Sequence, residues 1–222
     1  MRDAFHEELD AINDELVEMT RLVGSAMARA STALIDADLA LAESVIANDD
    51  VVDKIRDDLD QRTFDLLARQ QPVATDLRLL VATLRISADL ERMGDYARHV
   101  AKVGRRRYPQ RAVPAEYAST IVEMSQAATR IVAKCGSVIA SKDVKVALEL
   151  ESDDDIMDDL QRTLYTQLIE DRDSVAIETA MDLTLAGRYY ERFADHGVSV
   201  ARRVVYLVTG ERAAEFAAVR AG

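Results

Sequence analysis

Apolar residues recur at three- and four-residue steps along most of the chain, which is the spacing that lines one face of an α-helix. The first such run is Leu9, Ile12, Leu16, Met19 and Val23. The pattern predicts helices over residues 3–35, 38–48, 50–70, 75–104, 115–141, 143–151, 152–171 and 175–209. Almost the whole chain is therefore expected to be helical.

Short polar or proline-containing segments separate the predicted helices. Pro72 forces a turn within residues 70–75, and Thr75 is placed to cap the helix that follows. Gly104 and Gly210 come directly after long periodic runs, where a glycine commonly ends a helix. We therefore expect a helix to stop at each of these two glycines.

The same plan occurs twice along the chain. "VEM" at 17–19 recurs at 122–124, and "QRT" at 61–63 recurs at 161–163. In the last helix of each copy Glu91, Arg92, Asp95, Val100 and Ala101 match Glu191, Arg192, Asp195, Val200 and Ala201. The duplication predicts an all-α fold of two tandem three-helix bundles related by a pseudo-twofold axis. The expected units are residues 1–107 and 114–210, with a frayed tail at 211–222.

Composition agrees with this fold and excludes some functions. Only 8 Gly, 3 Pro and 5% aromatic residues argue against a sheet protein. A net charge of −12 argues against nucleic acid as a partner, and we interpret the basic stretch "GRRRYPQR" at 104–111 as a loop that serves solubility and helix-end charge. The single cysteine, Cys135, is expected in the core. No apolar signal segment or membrane-length run occurs, so we expect a cytoplasmic protein.

Pairs of carboxylates at four-residue spacing are the candidate chemistry. "LERMGDYA" at 90–97 and "YERFADHG" at 190–197 each contain one pair, and the second long helix of each unit contains another. The eight residues are Asp53, Asp57, Glu91, Asp95, Asp154, Asp158, Glu191 and Asp195. Like charges one turn apart repel each other weakly, and a bound cation would reverse that sign. The pairs lie off the main apolar stripe, so a solvated surface and a metal site both remain open.

The residue types limit which metal and which reaction are plausible. Carboxylate oxygens suit hard ions such as iron(III), manganese, magnesium or calcium, whereas the three scattered histidines and one cysteine offer little to a nitrogen–sulfur zinc site. None of His6, His99 and His196 belongs to a Glu-x-x-His motif, which di-iron oxidases of the carboxylate class need. Glycine-rich phosphate loops and nucleophile elbows are also missing from the sequence. We therefore expect no enzymatic activity.

Two features make the chain resemble the PhoU family of phosphate-signalling regulators over residues 3–210. They are "RQQPVATDLRLL" at 69–80 and the duplicated Glu-Arg-x-x-Asp motif. The resemblance implies multinuclear metal clusters on the surface of each bundle, held by the eight carboxylates named above. Iron is the first expectation, with manganese, zinc, magnesium or calcium as alternatives. The register near Asp53 leaves Asp49 or Asp50 as possible replacements, and the second turn, "EDRDS", lacks the Gln-Pro signature.

The resemblance also implies a regulatory function. Such a protein would hold the phosphate-starvation response off by linking the high-affinity phosphate ABC transporter to a sensor histidine kinase. It would reach the membrane only through these partners, and its outer apolar faces favour a homodimer. Three alternatives stay open: a metal-free helical adaptor, an accessory protein of a low-affinity phosphate carrier, and a metal store or di-iron enzyme.

Overall fold

The structure is a computed structural model that describes residues 2–213. Within this range the chain forms seven α-helices: α1 (Arg2–Asp36), α2 (Leu39–Ala47), α3 (Asp50–Gln70), α4 (Ala74–Arg107), α5 (Ala115–Ser141), α6 (Val144–Glu170) and α7 (Ile177–Thr209). The all-α fold of two tandem three-helix bundles is confirmed. The tail that was predicted to fray lies mostly outside the described residues, and the boundaries of the two units stay a prediction.

The predicted break near residue 151 is wrong, because α6 is one continuous helix. In the first unit the break between α2 and α3 is stabilised by Asn48, whose backbone and side-chain N–H groups both donate to the carbonyl of Ser44, at 3.2 and 2.8 Å. The corresponding stretch of α6 contains no Asn, Gly or Pro. Ion pairs from Glu151 to Arg202 (2.9 Å) and from Asp153 to Lys134 (2.5 Å) tie this stretch to α7 and α5.

Two helix-end predictions in the first unit are also wrong. Val73, not Thr75, occupies the N-cap position of α4, and the Thr75 hydroxyl instead accepts a hydrogen bond from Arg78 at 3.3 Å. Gly104 lies inside α4, where a Cβ atom would come within 3.1 Å of the Cα atom of Leu34 in α1. This glycine therefore permits close helix packing, whereas Gly210, with φ of 78°, does end α7.

The two bundles share one apolar core. α1 packs against α4 within the first unit and against α5 of the second, while α4 packs along α7. Tyr190 of α7 is fully buried, and its hydroxyl donates to the Ser31 hydroxyl of α1 at 2.7 Å. Cys135 is fully buried, as predicted. Burial of these long helices against each other leaves the acidic pairs at the outer surfaces, where α3 meets α4 and α6 meets α7.

None of the helices in residues 2–213 is both long enough and apolar enough to cross a lipid bilayer.

Candidate metal centre

The four predicted carboxylates of the second unit come together where α6 packs against α7. Asp154 is half-buried, and its pKa is raised to about 6. Burial is the largest cause, and the negative charges of Asp195, Asp158 and Glu191 add to it. The pKa of Glu191 is raised for the same reasons, chiefly by burial and then by Asp195. The second-unit cluster therefore concentrates negative charge that its surroundings only partly compensate.

Two oxygens of this cluster are buried without a hydrogen-bond partner. They are Oδ1 of Asp154 and Oε2 of Glu191. The other oxygen of Glu191 accepts from Arg188 Nη1 at 2.6 Å, and Asp195 accepts from Arg192 at 3.3 Å. A buried carboxylate oxygen without a partner has lost its hydrogen bonds to water without forming new ones, which is costly. A hard cation is the partner that such oxygens bind best, so the donor set of this unit fits a metal ion.

The first-unit cluster has a different composition from the one that the sequence predicted. Asp53, Glu91 and Asp95 lie close enough for their charges to interact, and the buried Asp49 joins them. Asp57 does not, because its side chain is 75% exposed and its ion pair is with the neighbouring Arg56, at 3.8 Å. The alternative register that includes Asp49 is therefore the one that the structure favours for this cluster.

An arginine occupies the middle of the first-unit cluster. Arg98 Nη1 lies 2.5 Å from Asp49 Oδ2, as an ion pair rather than a well-angled hydrogen bond, and its other terminal nitrogen contacts Asp95. The equivalent position in the second unit, one hundred residues later, is the buried Val198. The first cluster thus has an arginine that pairs with carboxylates from both sides of the cluster, whereas the arginines of the second cluster, Arg188 and Arg192, pair only with acids of their own helix α7.

As the side chains stand, no set of three or more acidic, histidine or cysteine side chains within residues 2–213 has the spacing to enclose a metal ion. A metal at either cluster would need the carboxylates to turn toward a common centre. The carboxylates of the second unit are better placed for such a change, because two of their oxygens have no partner. In the first unit, Asp49 and Asp95 would also have to release Arg98.

Polar contacts that no sequence pattern predicted join the two halves. Buried Asp89 of α4 accepts from Arg203 Nε at 2.6 Å and lies 2.9 Å from His196 Nδ1, both on α7. These partners are more than one hundred residues apart along the chain, and no local pattern links them.

The segment that was interpreted as a basic loop is also corrected. α4 continues to Arg107, and both Arg106 and Arg107 form ion pairs with Asp182 of α7. Their charge therefore contributes to packing between the halves rather than to solubility alone.

Comparison with known proteins identifies a family whose domain matches both units of the chain. The family model for the PhoU domain matches residues 16–103 and again 121–204. The chain is 44% identical over 210 residues to the "Phosphate-specific transport system accessory protein PhoU homolog 2" of Mycobacterium tuberculosis, covering 95% of this chain and 99% of that protein. It is 42% identical to "PhoU homolog 1" of Mycobacterium leprae, covering 95% of each.

Two solved structures share the fold. The crystal structure of PhoU from Pseudomonas aeruginosa aligns with a TM-score of 0.83 at 30% identity, over 93% of this chain and all of that one (100%). The phosphate transport system regulatory protein PhoU from Streptococcus pneumoniae aligns with a TM-score of 0.86 at 24% identity, over 94% and 98% of the two chains.

Proposed function

The chain belongs to the PhoU family, and on that premise we propose that it is an accessory protein of phosphate transport that acts as a negative regulator of the phosphate-starvation response. The observation that carries the proposal is the match to proteins named as phosphate-transport accessory proteins over 95% of the chain. Those names describe accessory proteins and not enzymes, so the proposed activity is regulation by binding.

The proposed partners are the ATPase of the high-affinity phosphate ABC transporter and a sensor histidine kinase. By binding both, the protein would bias the kinase toward its phosphatase state when phosphate is plentiful. It would act in the cytoplasm and reach the membrane through these partners alone. The long bundles provide extended helical faces for such contacts.

We further propose that the second-unit cluster binds a hard metal ion, with iron as the first candidate and manganese, zinc, magnesium or calcium as alternatives. Its ligands would be Asp154, Asp158, Glu191 and Asp195, and the buried free oxygens of Asp154 and Glu191 support the assignment. The ion would supply positive charge that links α6 to α7. Arg188 and Arg192 would orient two of these ligands, Glu191 and Asp195, through hydrogen bonds.

The first unit supports the alternative of a metal-free adaptor. Arg98 already forms ion pairs with both Asp49 and Asp95, so this cluster can hold α3 and α4 together without an ion. If metal binds here as well, Asp49, Asp53, Glu91 and Asp95 are the ligands that the structure favours. We therefore expect the second unit to bind metal more tightly than the first.

Each unit also exposes apolar side chains at or shortly before the turn between its last two helices. The exposed fractions are 57% for Phe64 and 73% for Val73 in the first unit, and 64% for Ile169 and 80% for Ile177 in the second. Apolar groups of this size are costly in water, so we propose that these turns contribute to partner binding or to a homodimer.

A reporter assay tests the proposed regulation. The protein is expressed in a mycobacterial host that lacks its own PhoU homologs, with a reporter behind a phosphate-starvation promoter. In phosphate-rich medium we expect the reporter to fall to the level of the parent host. If the protein accumulates in folded form and the reporter stays on, the regulatory proposal is wrong.

Metal content tests the proposed clusters. Elemental mass spectrometry of the purified protein should find metal that is lost in a Glu91→Gln/Glu191→Gln double variant and retained in Asp159→Asn, a control at an exposed aspartate of α6. Absence of metal from the wild type, with regulation intact, would support the metal-free adaptor instead.

A further inference from the structure

A basic cavity opens where the first half of α4 faces the second half of α7. Its volume is about 590 Å³. The lining residues that matter here are Arg78, Arg85, Glu151, Arg202, Arg203 and Tyr206. Arg212 lines the cavity as well, and five arginines beside one carboxylate are unexpected on a protein whose net charge is −12.

Two of these arginines lack an acidic partner. Arg85 is exposed and forms no ion pair or hydrogen bond with any residue that the structure describes. Arg78 donates only to the hydroxyl of Thr75, at 3.3 Å, and its Nε atom is buried without a hydrogen-bond partner. A buried guanidinium N–H without an acceptor is costly, so this cavity favours a ligand that carries negative charge.

Two further arginines are already oriented by acids. Arg203 donates to Asp89 at 2.6 Å, and Arg202 donates to Glu151 at 2.9 Å. Each contact uses only part of the guanidinium, which has five N–H donors in all. The remaining donors are available to an anion in the cavity.

The duplication allows the residues of this cavity to be compared with their counterparts in the second unit. One hundred residues further along the chain, Arg78 and Arg85 are replaced by Glu178 and Leu185, at the opposite end of the α4–α7 pair. There Glu178 forms an ion pair with Arg107 at 2.9 Å, and Asp182 forms ion pairs with both Arg106 and Arg107. The opposite end therefore compensates its own arginines. The basic cavity instead has Arg78 where that end has the acid Glu178, and Arg85 where it has the apolar Leu185.

We propose that the basic cavity binds a small molecule that carries two or more phosphate groups, such as a nucleoside triphosphate. Planar guanidinium groups from two helices match the oxygens of phosphates, which they bind in pairs of hydrogen bonds. A volume of about 590 Å³ lies within the range of small-molecule sites, and a single phosphate ion would leave most of it empty. The ring of Tyr206, 43% exposed in the same cavity, offers a surface on which a base can stack. This site goes beyond the proposed function and requires neither metal nor protein partner.

Isothermal titration calorimetry on the full chain tests the proposal. The protein is stripped of metal and titrated at low ionic strength, without magnesium, with ATP, pyrophosphate and inorganic phosphate in turn. We expect ATP to bind more tightly than pyrophosphate, and pyrophosphate more tightly than phosphate. Affinity should fall steeply when salt is raised, because the attraction is electrostatic.

Variants identify the site. Arg85→Ala removes an exposed side chain without partners, so it should fold normally and weaken ATP binding about tenfold or more. The double variant Arg78→Glu/Arg85→Leu copies the residues of the opposite end and should abolish binding. Arg162→Ala, at an exposed arginine of α6 outside the cavity, is the matched control and should bind like the wild type.

Three outcomes would overturn the proposal. The first is a wild-type protein that binds none of the three probes. The second is an equal loss in Arg162→Ala and Arg85→Ala, which would indicate attraction to arginines in general. The third is tighter binding of a poly-glutamate peptide than of ATP, lost in the same cavity variants, which would make the cavity a docking site for acidic protein segments.

Discussion

Asp154 shows how a single side chain links stability to the proposed metal site. Its pKa in the folded protein is raised from 3.8 to about 6, chiefly by burial and then by the neighbouring carboxylates. The folded state therefore holds a proton more tightly than the unfolded state does. As pH rises from about 4 to about 6, ionisation of Asp154 lowers the free energy of unfolding. Above that range the folded protein retains the full cost of the buried charge.

Replacing Asp154 by asparagine should remove this cost. In metal-free protein at pH 8 we expect Asp154→Asn to raise the free energy of unfolding by roughly 1 kcal/mol, after allowing for the solvent that screens this partly buried group. At pH 4 the gain should vanish, because the wild-type carboxyl is then protonated in the folded state. Urea denaturation at the two pH values measures the difference, and Asp159→Asn on the exposed side of α6 is the control. A gain of equal size at both pH values would contradict the assigned cause.

At the level of the helices, α4 contains two buried glycines with different surroundings. A Cβ atom on Gly104 would lie 3.1 Å from the Cα atom of Leu34 and 3.3 Å from the carbonyl oxygen of Ala33, both part of the backbone of α1. A Cβ atom on Gly94 would lie at ordinary contact distance, 3.6 Å, from a methyl group of Val52. The chain already has an alanine, Ala194, at the position of the second unit that matches Gly94.

The two glycines should therefore respond in opposite ways to alanine. Gly104→Ala forces α1 and α4 apart, and we expect it to destabilise the protein by about 1–2 kcal/mol. Gly94→Ala has room and reduces the freedom of the unfolded chain, so a gain of about 0.5–1 kcal/mol is expected. Thermal denaturation should show the melting temperature falling for the first variant and rising for the second. The packing argument fails if both variants shift in the same direction.

Helix periodicity and the duplication were enough to predict most of the architecture. The bounds of α3, α5 and α7 agree closely with the apolar pattern, because each is a regular amphipathic helix. α6 was predicted as two helices by analogy with α2 and α3. The stretch near residue 151 contains no helix-breaking residue, and ion pairs to other helices, such as Asp153 with Lys134, hold it in place, which the local sequence cannot reveal.

The candidate site could be predicted only in part. Spacing alone placed Glu91 with Asp95 and Glu191 with Asp195, since residues four apart share a helix face. The contribution of Asp49 depends on where α3 begins and how it packs, so the sequence offered it only as an alternative. The role of Arg98 was not predicted, because its partner Asp49 is on another helix.

The two halves of the molecule are packed as one structure. The core runs without interruption from α1 into α5 and from α4 into α7. Polar groups reinforce these junctions: Tyr190 donates to Ser31, and Asp89 accepts from Arg203. Both Asp89 and Ser31 are buried, so separating the halves would expose apolar surface and leave polar groups without their partners.

The whole chain should therefore unfold in a single transition, although its sequence is a duplication. In calorimetry of metal-free protein, we expect the calorimetric enthalpy to match the van't Hoff enthalpy, as for a cooperative two-state protein. A fragment of residues 1–107 should self-associate or melt without cooperativity, because the faces of α1 and α4 that α5 and α7 cover would be exposed to water. Mixing it with a fragment of residues 108–222 should restore a cooperative transition. If residues 1–107 alone form a monomer that melts as sharply as the full chain, the shared core is not what stabilises the first unit, and the two copies are independent domains.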